Sequence, residues 1–184
     1  MIVTTPFSPD DVISFWREAG AERWFKADAD FDASIRARYL GLWEEARAGK
    51  CADWASSAEG ILALIIVLDQ FPRNIFRGSA DAFATDPQAR ELTAQAIAQG
   101  FDQQIPADLR AFVYMPLMHS EDPKDQLRSL EVFRALGNAN NLDFAQIHAD
   151  IIRKFGRFPH RNTVLGRQTT AEEAAFLASG GFAG

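Results

Sequence analysis

The sequence predicts an all-α protein: about eight helices in one domain covering residues 1–184, with no sheet. Three observations carry this expectation. Apolar residues recur at three- and four-residue spacing along most of the chain. Proline and cap residues punctuate it where helices start. The longest purely apolar run, Ile61–Leu68, has no second strand-like run to pair with, so as a strand it would leave backbone groups unsatisfied.

The elements follow in order. Ser8 or Asp10 can cap a first helix whose apolar side is Val12, Phe15 and Trp16. From Asp30, the residues Phe31, Ile35, Tyr39, Leu42, Trp43 and Ala46 mark one face of a long amphipathic helix that stops at Gly49. Ile61–Leu68 is read as the central buried helix. Thr85-Asp86-Pro87 opens a helix that ends at Gly100, and Pro106 with Asp108 opens another, which Pro116 ends or kinks. Asp122-Pro123 repeats the device before Leu127, Leu130, Phe133 and Leu136. From about Asn141, a further helix places Phe144, Ile147, His148, Ile151, Ile152 and Phe155 on one side. Thr170 with Glu173 forms a capping box for the last helix.

Composition narrows the function classes. The chain has 184 residues, 47% of them hydrophobic, which suffices for a sizeable core. The 19 basic residues against 25 acidic ones give a net charge of -6, which disfavours nucleic-acid binding. Cys51 is the only cysteine, so no intramolecular disulfide forms, and a reducing compartment is expected. Ile61–Leu68 is far shorter than the ~20 residues of a membrane span. The N-terminus lacks the pattern of a secretory signal. A soluble, cytoplasmic protein without membrane association is expected. The three histidines show no local metal signature, and neither metal nor cofactor is expected.

Two segments echo each other, Phe71-Pro72-Arg73-Asn74-Ile75-Phe76-Arg77-Gly78 and Phe158-Pro159-His160-Arg161-Asn162 continuing to Gly166-Arg167. Phe-Pro is expected to end the preceding helix, because the residue before proline is pushed out of the α region. Asn is then expected to take the left-handed turn. The arginines either hydrogen-bond the orphan carbonyls of the helix end or clamp an anion bidentately. Residues 153–167 add a regional signal: Arg153, Lys154, Arg157, Arg161 and Arg167 stand there without an acidic residue. His119 lies in the junction His119-Ser120-Glu121-Asp122, a loop histidine beside carboxylates and so a candidate for proton chemistry. His148 reads as a buried, hydrogen-bonded core histidine. Asp69 reads as a partner that orients the arginine turn, and as chemistry would pair with Glu121.

Several runs together resemble a widespread bacterial family known as domain of unknown function 924. They are Leu68-Asp69-Gln70-Phe71-Pro72-Arg73-Asn74 with Arg77-Gly78, Ala82-Phe83-Ala84-Thr85-Asp86-Pro87, His119-Ser120-Glu121-Asp122 with Gln126, and Phe155-Gly156-Arg157-Phe158-Pro159-His160-Arg161-Asn162. The resemblance implies a fold similar to tetratricopeptide-repeat proteins, with antiparallel helix pairs in a right-handed arc. It implies no activity, cofactor or catalytic residue. The matching motifs are polar turns, where binding sites tend to lie.

Three functions compete. In the leading one, a binding module presents Arg73, Asn74, Arg77, His119, Glu121, Arg157, His160, Arg161 and Asn162 to an anionic small molecule or to a peptide or protein partner. In the second, an enzyme (a hydrolase is one candidate) uses His119 or His160 as acid/base, Glu121 to orient it, and the arginines to stabilise an anion. In the third, the polar turns are internal networks of a structural or interaction protein.

Overall fold

The computed structural model describes residues 7–182, which contain helices and no strand. The α-helices are α1 (Pro9–Ala19), α2 (Ala21–Trp24), α3 (Ala29–Arg47), α4 (Ala58–Ile65), α5 (Phe71–Ile75), α6 (Asp86–Ala98), α7 (Ala107–Met118), α8 (Pro123–Leu136), α9 (Ala139–Phe155) and α10 (Ala171–Ala178). Two compact units emerge. The first comprises the chain up to Arg77 together with Asp81–Pro116, and the second comprises Gly78–Ala80 and the chain from Leu117 onward.

In the first unit, Ser8 caps α1 through a reciprocal box with Asp11. The six apolar positions read along α3 (Phe31, Ile35, Tyr39, Leu42, Trp43 and Ala46) are its buried face. Tyr39 stacks on Phe71 with centroids 4.8 Å apart, and Trp16 meets Phe71 and Phe112 edge-on. Ile61–Leu68 is helical and buried, as its lack of a pairing partner requires.

That segment also overturns an expectation. Phe71-Pro72 does not end the helix. The chain widens into a π-helical stretch, Ile66–Gln70, and continues directly into α5, with Phe71 at φ -57°, ψ -43°. The Phe71 N–H donates to the carbonyl of Ile66, one residue further back than in an α-helix. Pro72 has no N–H for the carbonyl of Leu68, and Thr85 Oγ1 donates to that carbonyl at 2.6 Å. Thr85 also accepts from Trp43 Nε1 at 3.2 Å. It therefore occupies the N-cap position of α6 without a side-chain capping bond, its hydroxyl being used to close the break at Pro72.

In the second unit, α8 and α9 pack side by side as a helical hairpin. Asp122 caps α8, Gly137 ends it in the left-handed conformation (φ 78°), and Asn138 caps α9. Ile151, Ile152 and Phe158 form a core with Phe155, Phe176 and Phe182 packed against it. The face expected for α9 is only partly right: His148, Ile151 and Ile152 are buried, but Phe144 and Ile147 are exposed. Thr170 and Glu173 form the expected capping box on α10. Pro116 lies inside α7, which runs on to Met118. Among the described residues, no helix is long and apolar enough to cross a membrane.

Candidate functional site

The nine residues singled out from the sequence fall in two groups. Arg73, Asn74 and Arg77 belong to the first unit; His119, Glu121, Arg157, His160, Arg161 and Asn162 belong to the second.

In the first unit, α5 carries Arg73 and Asn74, and Arg77 follows it. Arg73 pairs with Asp86 through both guanidinium ends at 2.9 and 3.1 Å, and reaches back to the fully buried Asp69 at 3.2 Å. It also donates to the carbonyl of Asp69 at 2.6 Å. Gln70 Nε2 donates to the other oxygen of Asp69. Arg77 grips Asp32 bidentately at 2.6 and 2.9 Å, and Asn74 Nδ2 donates to the same carboxylate at 2.7 Å. Burial would raise the Asp32 carboxyl, but the Arg77 and Asn74 hydrogen bonds outweigh it and hold the group below its ordinary value. These side chains clamp α5 to α3 and α6.

In the second unit, a polar chain runs through five side chains. Glu121 Oε1 accepts from the Phe158 N–H at 2.7 Å, and both its oxygens accept from Arg167 at 2.8 and 3.0 Å. Arg167 also donates to the carbonyl of Phe158 and, through Nε, to Asn162 Oδ1. Asn162 Nδ2 passes the chain to Glu173 at 3.1 Å. Arg157 closes it, holding Glu173 at 2.6 and 2.9 Å. The Arg157 hydrogen bonds are the chief cause that lowers the buried Glu173 carboxyl to about 2. Burial pushes Glu121 upward, and the bonds from Arg167 and Phe158 bring it down on balance.

Neither Asn74 nor Asn162 takes the left-handed turn expected of it. Among the described residues, positive φ is confined to glycines, including Gly78 and Gly166 within the two segments. Both asparagines are buried and use their amides in the networks above. Residues 153–167 are also less unopposed than their sequence suggests. Arg153 meets Asp150, Lys154 meets Glu172, Arg157 meets Glu173, and Arg167 meets Glu121.

The histidines form the remaining constellation. All three lie in the second unit and converge. His148 is 5% exposed; its Nδ1 lies 2.8 Å from the carbonyl of Phe144, which makes that nitrogen the proton carrier of a neutral ring. The His119 ring is centred 6.2 Å from it. Phe182 lies against both His148 (4.5 Å) and His160 (5.5 Å), and Phe158 lies against the same two rings. Arg161 lies over Phe158 at 4.5 Å and donates to the carbonyl of His119 at 2.9 Å. The pKa of His148 is lowered to about 3, chiefly by burial and further by positive charge at His119, Arg161 and His160, against the opposing pull of the Phe144 carbonyl. Burial therefore keeps the His148 ring neutral well below the usual histidine range.

Among the described residues, no group of three or more His, Cys, Asp or Glu side chains is arranged to hold a metal ion. A concavity in the first unit is lined by Phe15, Glu18, Ala19, Arg23, Phe31 and Ser34, and so by none of the nine predicted residues.

Sequence reasoning missed Glu173 and Asp86 as arginine partners, and Phe182 as part of the histidine cluster. Glu173 was visible only as a capping residue, a role it also fills, because Thr170 N donates to it. Asp86 was visible only as a helix start. Nothing in the spacing announces Phe182.

Comparison with known proteins extends these findings. No protein of curated function matches the chain. It is similar to the solved structure of a protein of unknown function from Agrobacterium tumefaciens, at 43% identity and a TM-score of 0.90, covering 93% of this chain and 97% of that one. The family model described as bacterial protein of unknown function, DUF924, matches residues 12–181. The chain belongs to that family.

Proposed function

We propose that this protein is an anion-binding module whose recognition site is the histidine cluster of its second unit, with His119, His160 and Arg161 as the recognising side chains. The observation that carries this reading is the convergence of the three histidine rings and the Arg161 guanidinium around Phe158 and the carbonyl of His119. His119, His160 and Arg161 gather around the His148 ring, and positive charge on any of them disfavours one on His148. Imidazole and guanidinium N–H groups supply the donors that an anion needs. His119 and His160 are half-buried, which leaves part of each ring within reach of a ligand.

The same geometry narrows the larger set of candidate residues. Arg73, Asn74, Arg77, Arg157 and Asn162 belong to networks whose carboxylates already provide what an external anion would provide. Their role in this reading is to fix the turns. The catalytic alternative requires Glu121 to orient a histidine, but both Glu121 oxygens face Arg167, and one also accepts from the Phe158 N–H.

Isothermal titration calorimetry with inorganic phosphate at two salt concentrations tests the reading. Binding should weaken with salt and should fall about tenfold or more in His160→Gln. Phosphate binding unchanged by salt and by His160→Gln would sink it.

A further inference from the structure

The concavity in the first unit carries chemistry that the polar networks leave out. It has a volume of about 240 Å³, below the ~300 Å³ at which pockets for drug-sized ligands begin. Phe15, Glu18 and Ala19 of α1, Arg23 of α2, and Phe31 and Ser34 of α3 line it. Gly20 shapes it: at φ 70° and ψ 170°, a conformation essentially confined to glycine, the chain turns from α1 straight into α2. Trp24 Nε1 then donates to the Trp16 carbonyl at 2.6 Å and ties α2 back onto α1. Phe15 and Phe31 stack with centroids 5.8 Å apart and make the wall aromatic.

Two charges of opposite sign border this space. Among the described residues, neither Glu18 nor Arg23 forms an ion pair, whereas Arg17, Arg73 and Arg77 of the same unit each meet a carboxylate. Glu18 lies in the last turn of α1, where the negative end of the helix disfavours a carboxylate and favours a cation. Among the described residues, no backbone N–H from beyond the helix caps that end. The Arg23 guanidinium lies over the Phe31 ring at 5.8 Å. Arg38 lies over Phe15, within electrostatic reach of Asp11. The Ser34 hydroxyl donates to the Phe31 carbonyl at 2.8 Å, so its oxygen keeps acceptor capacity.

An ammonium group answers Glu18 and the uncapped helix end, and a carboxylate answers the fork of Arg23. An apolar group beside them suits Phe15, Ala19 and Phe31. We infer that the concavity binds a small zwitterion, an α-amino acid with an apolar side chain, held by its ammonium at Glu18 and by its carboxylate at Arg23. Glu18 repels a simple anion and Arg23 a simple amine, so the site selects molecules that carry both charges. It uses no residue of the histidine cluster and stands independently of the anion-binding reading.

The test is calorimetric titration of the full chain with L-leucine and with two relatives that each lack one charge. Leucinamide keeps the ammonium, and isocaproate keeps the carboxylate. Leucine should bind with a Kd of about 1 mM or tighter, and each relative at least about tenfold more weakly. Glu18→Gln should weaken leucine about tenfold without weakening isocaproate, and Arg23→Gln should weaken leucine about tenfold without weakening leucinamide. Both side chains are exposed, so neither substitution removes core packing, and urea unfolding of each variant checks that the fold is kept. No binding of leucine, binding that either substitution leaves unchanged, or a relative that binds as well as leucine would overturn the inference, whatever phosphate does at the histidine cluster.

Discussion

The two Phe-Pro segments are alike in sequence and opposite in backbone. At Phe71-Pro72 the chain stays helical, because a π-helical stretch precedes the proline and Thr85 supplies the hydrogen bond that proline cannot. At Phe158-Pro159 the chain has already left α9 at Gly156, and Phe158 is extended (φ -89°, ψ 108°), as the rule for residues before proline expects. A local rule decides the second turn, and a tertiary hydrogen bond overrides it at the first. The two turns also differ in their chemistry. Carboxylate clamps hold the first, whereas the second combines such clamps with all three histidines of the chain.

The largest effect that should separate the two units is acid sensitivity. His148 has its pKa lowered from 6.5 to about 3, so between those values the unfolded chain binds a proton that the folded one refuses. Stability of the second unit should thus be complete above pH 6.5 and decline as pH falls towards 3, by up to about 4 kcal/mol. Hydrogen exchange that speeds up in α9 below pH 6.5, but before the pH reaches the carboxylate range in which Asp32 on α3 titrates, while α3 is unaffected, would bear this out. Equal responses would show that the histidine cluster does not govern the second unit.

Next in size is Glu173→Ala. It removes the shared acceptor of Arg157, Asn162 and the Thr170 N–H, and should cost about 3 kcal/mol in urea unfolding. The corresponding change at the first turn is Thr85→Val. It leaves Trp43 Nε1 without its acceptor and the Leu68 carbonyl without its donor, for a loss of about 2 kcal/mol. A neutral result there would mean that Thr85 is not what keeps Phe71-Pro72 helical. The smallest effect is expected from Pro72→Ala. Because Thr85 already serves Leu68, restoring an N–H should alter stability by less than about 1 kcal/mol. A large gain would show that the π-helical stretch is strained by the proline rather than accommodated to it.

Much of the helical frame is legible in the sequence because it rests on local rules. Spacing alone identifies the buried face of α3, and the caps at Ser8, Asp122 and Thr170 act where their side chains suggest. The absence of a partner strand suffices to read Ile61–Leu68 as helix. Asp69 was rightly paired with an arginine, since Arg73 lies one helical turn away. What the sequence does not disclose depends on residues far apart in the chain. Arg77 finds Asp32 across 45 positions and Arg167 finds Glu121 across 46, and no local pattern chooses those partners over others of the same charge. The exposure of Phe144 and Ile147 is hidden for a similar reason: their spacing continues the apolar side of α9, but the neighbours on α8 decide which part of that side is covered.

The central claim, that an anion is recognised by His119 and His160 around a neutral His148, is tested most directly by following the three histidine ring signals in NMR during titration with phosphate at pH 6.5. The account predicts that the His119 and His160 rings shift in a saturable manner while His148 keeps the signature of a neutral ring protonated on Nδ1. Rings that do not respond, or a His148 that gains a proton on binding, would contradict it.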